Sequence, residues 1–149
     1  MIHKVQYYET DMMGITHHSN YIRWMEEARI ELMDQLGFPY REMEAGGIVV
    51  PVKSVKVDYL KPCTFGDEVE ITVGIQDFNG VVITIGYEMR VKENTVCKAV
   101  SEHVFLDRAG KFIRMKRTMP EFCAAVERMM AGSSPAEQTA DFSDDRFTG

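Results

Sequence analysis

No run of apolar residues in this chain approaches the roughly 20 that a membrane-spanning helix needs, and the opening segment MIHKVQYYETD lacks the apolar stretch of a secretory signal. A soluble, cytoplasmic protein is the expectation. Cysteine is scarce. Cys63, Cys97 and Cys123 are odd in number, far apart and without a C-x-x-C pair, which argues against a disulfide framework and a cysteine zinc site. Reduced, semi-buried thiols are expected instead. Positive charge is also short, with 17 Lys and Arg against 23 Asp and Glu for a net charge of -6. That balance opposes nonspecific attraction to nucleic acid or to an anionic membrane. No internal repeat is visible, and 149 residues suffice for one domain with a core while giving little support to two.

What is present falls into periodic segments. Residues 2–8 read as a short strand, stopped by the polar, Gly-containing stretch 9–14. Ser19 or Asn20 offers a side-chain cap for the helix that follows. In that helix Tyr21, Met25, Ala28, Leu32 and Leu36 recur on one stripe, while Arg23, Glu26, Glu27, Glu31 and Asp34 fall largely off it. Gly37 suits a left-handed helix end, and Pro39 keeps the helix from resuming. Beyond Gly46-Gly47 the period changes to two. Val55, Val57 and Tyr59 alternate with Ser54, Lys56 and Asp58; Val69, Ile71, Val73 and Ile75 repeat the pattern, as do Val81, Ile83, Ile85, Tyr87, Met89 and Val91. Asn79-Gly80 between the last two strands predicts a type I′ hairpin. A further strand is expected over 96–106.

Pro120 is placed for the first turn of a helix carrying Phe122, Val126 and Met129. The expected domain covers 1–131, followed by a polar tail over 132–149 that is expected to be disordered. One strand, one long helix and four or more strands joined mainly by tight turns describe an α+β fold, a helix on one face of an antiparallel sheet. Without crossover helices between strands, a doubly wound α/β fold is disfavoured.

The chemistry gathers at one place. Asp11 is followed by Gly14, His18 and Tyr21 at offsets of three, seven and ten, and then by Arg23-Trp24-Met25-Glu26-Glu27-Ala28-Arg29. This arrangement resembles the hotdog-fold thioesterases of the 4-hydroxybenzoyl-CoA thioesterase family, especially the branch of small bacterial acyl-CoA thioesterases with His at the seven-residue offset. The resemblance extends through the order of elements over about the first 130 residues, and Gly66-Asp67 is similar to a turn common before the third strand in that superfamily. It implies a hotdog fold and hydrolysis of an acyl-CoA thioester to a carboxylic acid and free thiol. Asp11 would act as nucleophile or as general base for water. The His18 amide would polarise the carbonyl, with its side chain assisting, while Gly14, Asn20 and Tyr21 would shape the pocket and hold the loop. Neither a metal nor an organic cofactor is implied, coenzyme A being part of the substrate. An edge strand and an open sheet face call for at least a homodimer, and the resemblance points to a homotetramer.

Elementary physics supports these roles. Thioester hydrolysis builds negative charge on the carbonyl oxygen, and unpaired N–H groups at a helix N-terminus are preorganised donors for it.

Blander alternatives accompany each residue. Asp11 could serve only an Asx-turn, and His18 only as a helix cap. Joint metal ligation by His17, His18 and Asp11 is opposed, since adjacent residues in extended chain point to opposite sides. His103, beside Ser101, reads as a satisfied sheet residue. Met12, Met13, Met25 and Met33 suit either a core or a flexible acyl pocket, Glu26, Glu27 and Glu31 suit a solvated face, and Trp24 and Tyr59 suit an interface or a pocket. Some relatives place basic residues on the strand hairpin to hold the coenzyme A phosphates, yet here that turn reads Gln76-Asp77-Phe78-Asn79-Gly80. The basic run Lys111, Arg114, Lys116 and Arg117, near the last strand, is expected to meet the nucleotide end of the substrate, Lys116 and Arg117 foremost, or else to be a solvated basic patch. Two other functions remain open: a hotdog hydratase or dehydratase, and a noncatalytic acyl-thioester binding protein. Release of free thiol separates them from a thioesterase.

Overall fold

The computed structural model describes residues 1–132, so most of the segment expected as a tail lies outside the described residues. Helix α1, Ser19–Leu36, buries the whole predicted stripe, widened by Asn20, Trp24, Arg29 and Met33. Its end is set by Gly37, whose φ of 89° places it in the left-handed region. Its start differs from expectation. Neither Ser19 nor Asn20 caps it through a side chain; the Ser19 amide instead donates to His17 Nδ1 at 3.2 Å. Pro39 does stop α1, but a second helix, α2 (Tyr40–Ala45), begins directly after it, with the Glu42 and Met43 amides donating to the Pro39 carbonyl. A proline that ends one helix is equally suited to precede another, because it contributes a carbonyl and needs no donor partner.

Five antiparallel strands form one sheet: β1 (Ile2–Lys4), β2 (Val52–Tyr59), β3 (Glu68–Phe78), β4 (Val82–Val91) and β5 (Asn94–Val104), in the order β1-β3-β4-β5-β2. The hairpin succession holds for β3, β4 and β5. It fails for β2, which pairs with β5, as in Val57 opposite Ala99, so the connection 60–67 carries the chain across to the other side of the sheet. Strand β1 is shorter than expected because the carboxylate of Glu9 draws in the Gln6 amide at 2.8 Å and bends Tyr7–Glu9 into a 3₁₀ turn. The β3–β4 hairpin exists, but its turn is not type I′. Lys92 is the one non-glycine with positive φ among the described residues, so Asn79 keeps an ordinary conformation. Its side-chain oxygen accepts from the Val81 and Val82 amides at 2.9 and 2.8 Å, making a three-residue loop in which Gly80 alone takes positive φ.

Register explains the two faces. Val73, Tyr87, Ala99 and Val57 stand side by side across four strands beneath α1, whereas their neighbours Thr72, Glu88, Lys98 and Asp58 line up on the opposite, polar face. Two short elements follow the sheet. Helix α3 (Met115–Thr118) was not foreseen, and α4 (Pro120–Gly132) reaches one residue past the expected domain boundary. Phe122 of α4 meets Phe38, Phe78 and Phe105 edge-on at centroid separations of 5.3, 5.7 and 5.5 Å.

A buried polar chain crosses this interior. Arg29 donates to the Tyr87 hydroxyl at 3.2 Å, Tyr87 bonds Ser101 at 2.7 Å, and Ser101 bonds His103 Nε2 at 2.7 Å. His103 is therefore only half satisfied, because its Nδ1 is buried without a partner among the described residues. Burial, and secondarily the Arg29 charge, pushes its pKa down to about 4. The three cysteines are buried rather than half-exposed, and burial raises the Cys97 thiol to about 12. Among the described residues no helix is long and apolar enough to cross a membrane.

Candidate active site

Residues 9–18 fold into a small hairpin that leads into α1. Thr10 pairs with Thr16, the Asp11 amide donates to the Ile15 carbonyl at 2.8 Å, and the Gly14 amide closes the tip on the Asp11 carbonyl at 3.0 Å. The hairpin is fastened to the segment following β2, since Ile15 pairs with Thr64 and the Thr16 amide donates to the Cys63 carbonyl at 2.8 Å. Gly66-Asp67 does form a turn there, with Asp67 Oδ2 accepting from the Thr64 amide at 2.8 Å. Asp11 is half-buried on this loop, and its Oδ1 accepts from the Met13 amide at 2.8 Å. The Asx-turn is thus real. Among the described residues only that one carboxylate oxygen is engaged, which leaves Oδ2 for chemistry. Met12 and Met13 are exposed at the tip, while Met25 and Met33 are core.

At the helix entrance nearly every amide has an acceptor. His17 donates to the Glu9 carbonyl, Ser19 to the His17 ring, Asn20 to the His17 carbonyl and Tyr21 to the His18 carbonyl. Among the described residues the His18 amide is the exception, and it lies where the partial positive charge of an 18-residue helix is greatest. The His17 and His18 rings stack at 4.3 Å, on one side rather than two, because His18 already has helical φ and ψ of -58° and -27°. Even so, among the described residues no three His, Cys, Asp or Glu side chains are arranged to hold a metal ion.

The other residues divide into supports and outliers. Tyr21 is buried, its hydroxyl 3.2 Å from Cys63 Sγ and its ring 4.9 Å from Trp24 and 5.1 Å from Tyr59. Burial first, then the Cys63 contact, drives its phenol pKa far up, so it stays neutral. Asn20 is also buried; its amide ties the loop by donating to the Glu9 and His17 carbonyls at 2.9 and 3.2 Å. Tyr59 donates to the His18 carbonyl, which places an aromatic from β2 against the helix entrance. No hydrogen bond or ring contact among the described residues joins Asp11 to His18; the two occupy opposite limbs of one loop. Lys116 and Arg117 are not brought to it at all. They sit on α3 against the β3–β4 turn, where the Met115 amide donates to the Gly80 carbonyl. That is the far end of an 11-residue strand from the loop, roughly 30 Å away. A cavity of about 670 Å³ lined by Arg29, Tyr40 and Val52, among others, lies elsewhere and includes none of the expected site residues.

Sequence reasoning missed Glu9. It looked like part of a solvated loop, yet it is 5% exposed and binds Trp24 and His3. No spacing signal marks it; only its place directly before Thr10-Asp11 could have drawn attention.

A central helix laid on a five-stranded antiparallel sheet, with an acid on the loop that opens the helix, defines a hotdog-type α+β fold of the thioesterase class. The family model described as the thioesterase-like superfamily matches residues 5–145, and the chain belongs to that superfamily. It is similar to YneP of Bacillus subtilis, at 35% identity over 127 residues covering 84% of this chain and 92% of that one. It is likewise similar to acyl-CoA thioesterase YbgC of Helicobacter pylori, at 32% identity over 92 residues covering 61% and 66%. Among solved structures, DHNA-CoA thioesterase from Staphylococcus aureus superimposes with a TM-score of 0.84 at 28% identity, covering 88% of this chain and 89% of that one. The protein is a thioester hydrolase.

Proposed function

We propose that the protein hydrolyses an acyl-CoA thioester to a carboxylic acid and free coenzyme A in the cytoplasm, without metal or organic cofactor. Asp11 attacks the carbonyl or activates the attacking water, and the His18 amide receives the charge that develops on the carbonyl oxygen. The observation that carries this reading is that, among the described residues, the His18 amide at the start of α1 is unpaired, one loop limb away from a carboxylate with an unengaged oxygen. A donor of this kind is worth about 3 kcal/mol in acyl transfer, or on the order of a hundredfold in rate. Gly14, Asn20 and Tyr21 act from behind, holding the loop and backing the pocket.

The wide separation of Lys116 and Arg117 from Asp11 favours a site shared between two copies. β2 is the long edge of the sheet. If β2 pairs antiparallel with β2 of a second copy, the Tyr59 end of one strand lies beside the Val52 end of the other. Lys116 and Arg117 of the partner subunit are then carried toward the loop of the first, where they meet the nucleotide end of the substrate. The minimal unit is a homodimer, and a homotetramer would cover the remaining sheet face.

Free-thiol release from short, medium, long and aromatic acyl-CoAs tests the proposal, with Asp11→Asn measured in parallel. The wild type should release thiol from at least one of them, and Asp11→Asn should lose a hundredfold or more in kcat. A near-full rate in Asp11→Asn would remove Asp11 from the mechanism. Hydration of an enoyl thioester without thiol release would instead favour the hydratase reading.

A further inference from the structure

Glu9 is two residues before Asp11, and every acceptor it has is used. Oε1 accepts from the Gln6 amide at 2.8 Å and faces His3 Nε2 of β1 at 2.8 Å. Oε2 accepts from the Trp24 indole N–H at 2.8 Å, in the second turn of α1. Its main-chain oxygen accepts from the Asn20 side chain at 2.9 Å and from the His17 amide at 2.8 Å. One residue thus fastens β1, the 3₁₀ turn, the outgoing limb of the hairpin and the long helix.

A carboxylate buried to this degree is costly unless fully paired. Burial pushes its pKa up, but the Gln6 amide and the hydrogen bonds from His3 and Trp24 outweigh burial and hold it below the ordinary value, so it is ionised near neutrality. Trp24 is locked in turn, 1% exposed, with the His3 ring at 4.6 Å and the Tyr21 ring at 4.9 Å. The location gives this cluster its significance. Asp11 follows Glu9 on the incoming limb, and the groups held by the Glu9 carbonyl, His17 N–H and Asn20, flank the His18 amide on the other limb.

We infer that Glu9 is a positioning residue for thioester hydrolysis: tied to Trp24, it sets the separation between the Asp11 carboxylate and the His18 amide. The inference rests on the roles given above to Asp11 and His18. A displacement of about 1 Å between reacting groups can cost on the order of a hundredfold in rate, so a support of this kind acts on kcat without touching substrate.

The test is thiol release by wild type, Asp11→Asn, Glu9→Gln, Trp24→Phe and the Glu9→Gln/Trp24→Phe double variant, with a melting temperature for each. In Glu9→Gln the new –NH₂ group must point at a donor, either the indole or the Gln6 amide. The expected result is a kcat lowered about 10- to 100-fold in a folded protein, with KM within about twofold of wild type. Both changes break the same tie, so the double variant should lose little more kcat than Glu9→Gln alone, well short of the product of the two single losses. A residue that only staples the fold would lower the melting temperature and leave the kcat of folded protein unchanged. Wild-type kcat in Glu9→Gln beside an inactive Asp11→Asn, or single losses that simply multiply in the double variant, overturns the inference. Near-full rate in Asp11→Asn overturns the catalytic reading itself, and the inference falls with it. Should Glu9→Gln not fold, Trp24→Phe decides: a loss of about tenfold in kcat at unchanged KM supports the inference, and wild-type kcat rejects it.

Discussion

The phenol of Tyr59 donates a hydrogen bond to the main-chain oxygen of His18 at 3.3 Å, joining the last residue of β2 to the residue that opens α1. The bond is exposed, and its net worth is under about 1 kcal/mol. Its effect on rate should be larger, since it steadies the residue whose amide is proposed to receive the charge on the carbonyl oxygen. Tyr59→Phe should lose less than about 1 kcal/mol in urea denaturation while its kcat drops several-fold. An unchanged kcat would separate this contact from catalysis.

Acid should weaken the fold through His103. Below its ordinary pKa of 6.5 the unfolded chain takes up a proton that the folded chain refuses down to about 4. Stability from this group is complete above pH 6.5 and is lost progressively as pH falls toward 4, by as much as about 3 kcal/mol. His103→Gln, which can keep the bond to Ser101, should flatten that decline between pH 6.5 and 4.5 in urea titrations. Glu9 acts in a separate window. Its lowered pKa gives stability that is present above its ordinary 4.5 and lost as pH falls through the folded value.

Reversing charge at Lys116 and Arg117 should raise the KM for acyl-CoA several-fold at low ionic strength, with the difference shrinking as salt is added. Thioesters lacking the nucleotide should not respond. Equal KM values across ionic strength would confine these residues to the surface.

Phe122→Ala should cost about 3–5 kcal/mol, because the ring is fully buried among Phe38, Phe78 and Phe105. Its distance from the loop predicts that kcat of the folded variant changes little. Thermal unfolding and thiol release on one preparation check both halves.

The elements that could be read from sequence are those whose apolar residues keep a strict period. The stripe from Tyr21 to Leu36 lies wholly inside, and the alternation in β3 and β4 assigns faces correctly. Alternation says which side of a strand is dry and nothing about which strand lies beside it, so the pairing of β2 with β5 was hidden. Asn79 shows a related ambiguity, because its side chain can accept hydrogen bonds in an ordinary conformation as readily as its backbone can turn left-handed.

At the site, the spacing of Asp11, Gly14, His18 and Tyr21 located the loop and the helix entrance. It could not reveal Glu9 or Arg29, whose charge suggests a surface while their hydrogen bonds place them inside. Nor could it measure the distance to Lys116 and Arg117, since one-dimensional proximity to the last strand carries no information about which end of the sheet that strand reaches.

The order β1-β3-β4-β5-β2 also governs when the protein can be completed. Strand β2 is synthesised long before its partner, and pairing Val52 with His103 closes a loop of about fifty residues. Val55 and Val57 therefore wait without a neighbour until translation has passed Val104, while β3, β4 and β5 can assemble locally as hairpins. The edge that ends at Tyr59 beside the helix entrance is thus the last part of the sheet whose partner strand is synthesised, ahead only of the helices α3 and α4.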